Sequence, residues 1–342
     1  MNQRIGYRDA VLRQPESLAD ARRTVMAGLA ALDLADFAGR PVGFAGIGAS
    51  YQAALVGAAC LRERGLPAFA YCPTDLYGAV DSAAGAFVAL SASGQSREIA
   101  DVMTLRAHLP RLAICRSADT PLAAIAGRQL PFGSGADNGA SSTGYTGMVM
   151  ALGMLADRLA GRGEDPVWAA LPGLVADLLA GQKDNARQAA TLLAGRASID
   201  IVGAGCGFAT AGEAAMLIRE AVRVPAVGWD TLNYLHGPME SQDAATGLIA
   251  LGDGREVKVA QDVAGFGCPS LLVTTRADVA PAARLGVMRV PAVGNPVAAA
   301  ILDIVAVQMV VGDMQDDAGL TNITFRYRQT DTKLKPWSPT EV

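Results

Sequence analysis

Histidine is scarce in this chain of 342 residues, where only His108 and His236 occur. No group of His, Cys and Asp has metal-ligand spacing, so no metal is expected. The five cysteines, Cys60, Cys72, Cys115, Cys206 and Cys268, include no CxxC pair and leave an odd number. Such a set fits core thiols in a reducing cytoplasm better than a disulfide framework. No run of Lys or Arg is present and the formal net charge is −4, which argues against a nucleic-acid surface, since that demands a basic stripe. Residues 1–20 carry mixed charges and no apolar core of a secretory signal. The most apolar late segment, 297–311, is interrupted by Asp303 and Gln308 and is shorter than the about 20 residues of a spanning helix, so a buried or interface helix is expected and not a membrane anchor. Gly46-Ile47-Gly48 lacks the third glycine of a dinucleotide fingerprint and no acidic residue closes the next strand, so NAD is not expected, nor any other cofactor.

The chain does have apolar content. Hydrophobic residues make up 51% of it, enough with this length for two cores and two domains of roughly 150 residues. Mean hydropathy is positive, which points to surface hidden in an oligomer. Strand-like patterns near 42–45, 67–72, 86–90 and 112–115 alternate with helical ones near 51–64, 96–109 and 143–160, after an amphipathic segment at 18–34. That alternation predicts an α/β fold with a parallel sheet covered on both faces, doubly wound as in a flavodoxin-like three-layer sandwich. The expected divisions are an N-terminal helical segment (1–35), a first domain (36–160), a linker and bridging helix (161–197), a second domain (198–320) and a tail (321–342).

The second half repeats the first. Gly203-Ala204-Gly205-Cys206-Gly207-Phe208 matches Gly46-Ile47-Gly48-Ala49-Ser50-Tyr51 at a shift of 157 residues, and Arg219-Glu220 falls on Arg62-Glu63. In the first half the apolar run 87–90 leads into Ser91-Ala92-Ser93-Gly94-Gln95-Ser96. A loop that leaves a strand and opens a helix presents backbone N–H groups, and serine hydroxyls add donors suited to phosphate oxygens. It has no lysine, as a nucleotide P-loop would, so neutral donors and a helix dipole fit a sugar monophosphate. Taken alone, the loop also reads as an ordinary strand-to-helix turn with serine caps. The matching corner of the second half is Gly252-Asp253-Gly254-Arg255-Glu256, whose carboxylates would repel a phosphate.

Glu220 lies near the end of a helical pattern over 209–222, and His236 sits before a Gly237-Pro238 turn sixteen residues later. A partly buried glutamate has its proton affinity raised towards the range needed for enolisation next to a carbonyl. Glu213 either is structural or orients the turn. His108 reads as a cationic cap on a helix C-terminus and is left outside the site.

The glycine turn with Ser50, the serine loop, Ser141-Ser142-Thr143, and Glu220 followed by His236-Gly237-Pro238 together resemble the double sugar-isomerase (SIS) domain family, from about 41 to 335. That family includes the isomerase half of glucosamine-6-phosphate synthase and relatives that deaminate, isomerise or deglycate sugar phosphates. The resemblance implies two tandem SIS domains, a substrate phosphate held by Ser50, Ser91, Ser93, Ser96 and Ser142, and Glu220 as the base that moves a proton between C1 and C2. It also implies that His236 assists ring opening, often from the neighbouring subunit of a homodimer, and that a tail lysine reaches the sugar. Lys335 best matches that lysine by its distance from the end, with Lys333 close behind. Three departures stand out: Ala92 replaces a glutamine between the serines, Leu217 replaces a lysine on the Glu220 helix, and no glutaminase domain precedes the isomerase part. The function expected is a cytoplasmic, glutamine-independent sugar-phosphate isomerase or aminosugar-phosphate deaminase. The alternatives are a non-catalytic sugar-phosphate-binding regulator, disfavoured by the lack of a helix-turn-helix or basic extension, and an inactive paralogue.

Overall fold

Residues 42–45 are all buried, the mark of a strand covered on both faces, and they form β1 (Val42–Ala45). The computed structural model of the chain describes residues 5–78, 84–320, 325–327 and 329–334. Alongside β1 lie β2 (Ala68–Tyr71), β3 (Ala86–Leu90), β4 (Arg111–Cys115) and β5 (Gln129–Pro131), all parallel, in the order β2-β1-β3-β4-β5. A second parallel sheet holds β6 (Ile199–Gly203), β7 (Ala226–Asp230), β8 (Gly247–Leu251), β9 (Ser270–Thr274) and β10 (Leu285–Arg289), ordered β10-β9-β8-β6-β7. Read from its other edge this is the same order, so the sequence repeat is a repeat of topology. In each sheet the chain leaves the first strand in opposite directions for the second and third, which makes the carboxyl ends of those strands the switch point where ligands of such sheets bind.

The helices, in chain order, are α1 (Tyr7–Leu12), α2 (Gln14–Ala31), α3 (Ala49–Glu63), α4 (Arg97–Thr104), α5 (Pro121–Ala126), α6 (Thr143–Leu159), α7 (Val167–Gly181), α8 (Lys183–Leu193), α9 (Cys206–Leu217), α10 (Thr231–Tyr234), α11 (Arg255–Gly265) and α12 (Pro296–Asp317). Two compact units result. One contains the first sheet and comprises 16–135, 144–169 and 324–342; the other contains the second sheet and comprises 1–15, 136–143 and 170–323.

In the unit of the first sheet, α3 packs on β1 and β2, while α4 and α5 cover β3 and β4 with Ile99, Val102, Met103 and Leu122. Asp157 is a buried charge of this unit: Arg64 pairs with it and the Trp168 indole donates to it at 2.9 Å, with both ion-pair side chains 6% exposed. The pattern expected as a helix to residue 109 ends at Thr104. Beyond that point buried Arg106 turns back to donate to the carbonyls of Val102 and Leu76, its guanidinium 5.3 Å from the centre of the Phe87 ring. His108 therefore lies outside the helix and does not cap it.

In the unit of the second sheet, α9 packs on β6 and β7, α11 on β8 and β9, and α12 against α8 and α9. Helix α12 has 22 residues, longer than the apolar segment read from sequence, and is apolar enough to cross a membrane by length and composition. Most of it is buried as a core helix. Two of its polar residues have partners: the Gln308 side-chain oxygen accepts from Gln14 at 2.8 Å, and Asp313 pairs with Arg8 at 2.6 Å. All five cysteines are free thiols, four of them buried.

Candidate active site

The glycine turns open both sheets in the same way. Gly48 (φ 59°, ψ −131°) caps α3 and Gly205 (φ 57°, ψ −121°) caps α9, a conformation that L side chains rarely adopt. Ser50 follows in the first turn of α3, half-buried, at the carboxyl end of β1.

The serine loop leaves the neighbouring strand β3 and is fixed by its backbone. The Ser91 N–H donates to Ile114, the Ala92 carbonyl accepts from Arg116, and the Gly94 carbonyl accepts from Leu122. Gly94 has φ +63°, and a Cβ there would lie 2.3 Å from the Thr120 Cβ, so only glycine fits. Ser91 is buried, and its hydroxyl lies 3.0 Å from that of Ser96, the N-cap residue of α4. The Ser96 side chain makes no cap bond to the helix, so the reading of these serines as simple caps does not describe it. Ser93 is exposed and accepts from the Gln95 N–H at 3.3 Å. A cleft of about 800 Å³ adjoins this loop, lined among others by Ser93, Gln95, Thr120, Arg128 and Gln129.

The tail meets this loop. Lys333 forms an antiparallel bridge with Ser96, Leu334 donates to the Gln95 carbonyl at 2.9 Å, and the Arg97 N–H donates to Thr332 at 3.2 Å. The Arg97 side chain adds bonds to the carbonyls of Asp331 (2.8 Å) and Lys333 (3.1 Å). The Lys333 side chain is exposed. Lys335 lies outside the described residues. Sequence reading gave no role to Arg97, although its place directly after the serines, as the first residue of α4, was a signal.

The other site residues belong to the unit of the second sheet. Ser142 is buried and donates its hydroxyl to Asp137 at 2.8 Å. Asp137 also accepts from the backbone N–H groups of Asn138, Ser142 and Thr143 and from the Ser141 hydroxyl, which fixes the start of α6. Glu220 is not on the α-helix expected over 209–222. The α-helix ends at Leu217, and Ile218–Val222 form a single π-helical turn, a device that widens the helix and often marks functional positions. Arg223, at φ +64°, ends it. Glu220 is half-buried, and desolvation by burial lifts its carboxyl to about 7. His236 is exposed, between α10 and a 3₁₀ turn over Pro238–Ser241, and Gly237 at φ +140° supplies the sharp bend that the Gly-Pro pair implied.

Glu213 is the group the sequence left undecided. It is 0% exposed and neither carboxyl oxygen has a hydrogen-bond partner. Burial first, then the charges of Glu220 and Asp137, hold it well above the ordinary carboxyl range. The acidic corner of the second sheet is internally satisfied: Asp253 accepts from Thr274 and Thr275, and Glu256 from Thr231. Burial raises Asp253, but those hydrogen bonds outweigh it and leave the carboxyl lowered, so the corner carries a negative charge against any phosphate. Among the described residues no group of three or more His, Cys, Asp and Glu could hold a metal ion.

No protein-family model matches the chain, and no curated protein matches its sequence. Solved structures do match along almost its whole length. The C-terminal domain of glucosamine-fructose-6-phosphate aminotransferase from Francisella tularensis superposes with a TM-score of 0.77 at 17% identity, over 92% of this chain and 96% of that one. Tagatose-6-phosphate ketose/aldose isomerase from Escherichia coli gives 0.78 at 16% identity, over 93% and 94%. Glucosamine-6-phosphate deaminase from Thermotoga maritima gives 0.71 at 17% identity, over 92% and 95%. At these identities the likeness is one of architecture: the chain has the two-sheet α/β fold of these sugar-phosphate proteins.

Proposed function

We propose that the chain is a sugar-phosphate isomerase that interconverts an aldose and a ketose, with or without loss of an amine from C2. The substrate is a phosphorylated aminosugar or ketose of the glucosamine-6-phosphate or fructose-6-phosphate kind. The observation that carries this reading is Glu220, a half-buried carboxyl on a π-helical turn that burial brings to about 7. Such a group exchanges protons readily near neutrality.

The phosphate is held by the serine loop and Ser50 at the switch point of the first sheet, with Ser142 as a further contact. Neutral hydroxyls, backbone N–H groups and the α4 dipole supply the attraction. His236, from the same or a neighbouring subunit, moves a proton between ring oxygen and C1 hydroxyl as the ring opens. Glu220 then takes the C2 proton as the C1 oxygen gains a proton from solvent to give the enediol, and returns it to C1 as the C2 hydroxyl gives its proton back to solvent and the carbonyl forms at C2. Lys335, or Lys333, adds to the open-chain carbonyl with loss of water and holds the open form as an imine, which water hydrolyses back to carbonyl and free amine before the C1–C2 proton transfer. The full-length likeness to a ketose/aldose isomerase and a deaminase supports this chemistry; the five free thiols fit a reducing cytoplasm, where the chain is proposed to act as a homodimer.

The test is incubation with a panel of hexose and hexosamine 6-phosphates, scoring ketose formation and ammonia release. Turnover of at least one member is the expected result. Binding without turnover would replace the enzyme by a sugar-phosphate-binding regulator, and no binding at all would remove both.

A further inference from the structure

Glu213 has no role in the scheme above, yet it is fully buried with both carboxyl oxygens unpartnered. A buried carboxylate without hydrogen bonds is strongly disfavoured, and a buried group in that state takes up a proton. Its neighbours make ionisation harder still. Glu213 and Glu220 are seven residues apart, about two turns, on α9 and the π-turn that continues it. Tyr7, 1% exposed with an unpartnered hydroxyl, feels Glu213, Asp137 and Glu220 in that order after its own burial.

Among the described residues no cation acts to lower Glu213 or Glu220. The charges that act on Glu213 are Glu220 and Asp137. On the elements packed against α9 stand Asp200 (β6), Asp230 (β7), Arg219 (the π-turn) and Asp303, Asp313, Asp316 and Asp317 (α12). Arg219 donates to the Ala226 carbonyl, and Arg8 of α1 is taken by Asp313 and Asp316. The position one turn beyond Glu213, where a lysine would pair with it, is the buried Leu217.

We propose that Glu213 is a positioning residue for Glu220, a carboxyl that keeps its proton so that the pair carries a single negative charge and Glu220 alone exchanges protons with the ligand. The inference rests on the reading of Glu220 as proton carrier. An ionised Glu213 would repel the charge of Glu220, push its proton affinity further up and leave it protonated, and useless as a base, at neutral pH. With Glu213 neutral, burial alone sets Glu220 near 7.

The experiment is infrared spectroscopy of the whole protein at pH 7, combined with the pH profile of kcat/KM. Asp303, lifted by burial to about 8, contributes an un-ionised carboxyl band of its own, so the informative spectrum is wild type minus Glu213→Gln. That difference is expected to contain an un-ionised carboxylic acid band, and Glu213→Gln, a neutral isostere, is expected to leave the midpoint of the acidic limb in place. Leu217→Lys introduces an ammonium about one turn from both carboxyls, and should abolish the Glu213 band and lower the midpoint by about one unit or more. An empty difference spectrum, or a Glu213→Gln midpoint moved by more than about one unit, overturns the inference. Should Glu213→Gln fail to fold, the wild-type minus Leu217→Lys spectrum takes its place: the same band is expected there, and an empty difference overturns the inference. A wild type that shows the band but turns over no sugar phosphate contradicts the Glu220 reading instead, so the two failures are told apart.

Discussion

The guanidinium of Arg97 donates to the carbonyl of Lys333 at 3.1 Å, joining the first residue after the serine loop to a tail residue 236 positions later. With its bond to Asp331 and the backbone bonds of Arg97 and Leu334, this holds 331–334 against the opening of α4. Residues 331–334, which have no helical or strand periodicity, are thereby given a defined place.

Arg97→Ala removes the two side-chain bonds and leaves the backbone ones. Each is worth about 1 kcal/mol, so amide exchange at Leu334 should accelerate by about tenfold or more, while global unfolding changes by less than about 0.5 kcal/mol. Hydrogen-exchange mass spectrometry checks this, and unchanged protection at Leu334 would mean that Arg97 does not hold the tail.

Ser91→Ala combined with Ser93→Ala should weaken binding of glucosamine 6-phosphate by several kcal/mol, since charge-assisted hydrogen bonds contribute about 1.5–3 kcal/mol each. The fold should survive, because the loop is fixed through the backbone of Ser91, Ala92 and Gly94. Calorimetry that finds equal affinity in the double variant would take the loop out of the phosphate site.

The strands at 42–45 and 86–90 have the limits read from sequence, because both are unbroken apolar runs, buried at every position. The glycine turns and the repeat were legible for a related reason: a positive φ beside a strand end leaves glycine in the sequence. Strand β5, three residues long, is too short for any periodicity and was not foreseen. The π-turn under Glu220 is also invisible to pattern reading, since its apolar residues Ile218, Ala221 and Val222 fit an α-helix equally well. Serine chemistry pointed to the loop, but the pairing of Ser91 with Ser96, the five bonds of Asp137 and the isolation of Glu213 depend on residues distant in the chain or on burial that composition does not report.

Glu220 also predicts how stability depends on pH. Its folded carboxyl keeps a proton up to about 7, against 4.5 for an ordinary glutamate, so between those values the folded state binds more protons than the unfolded one. Stability therefore falls as pH rises through this window, by on the order of 3 kcal/mol from this group. Glu220→Gln removes the dependence and should be more stable than wild type above pH ~7 and closer to it near pH ~5. Urea unfolding at both values checks the sign, and equal stability at both would mean that Glu220 is not desolvated.

The most direct test of the account is turnover by Glu220→Gln on the sugar phosphate that the wild type converts. Glutamine keeps the shape and hydrogen-bonding reach of the glutamate but cannot accept a proton from carbon. Ligand affinity by calorimetry should stay within about threefold of wild type while kcat falls by about 10² to 10⁴. A variant that binds and turns over like wild type would contradict the assignment of proton transfer to Glu220.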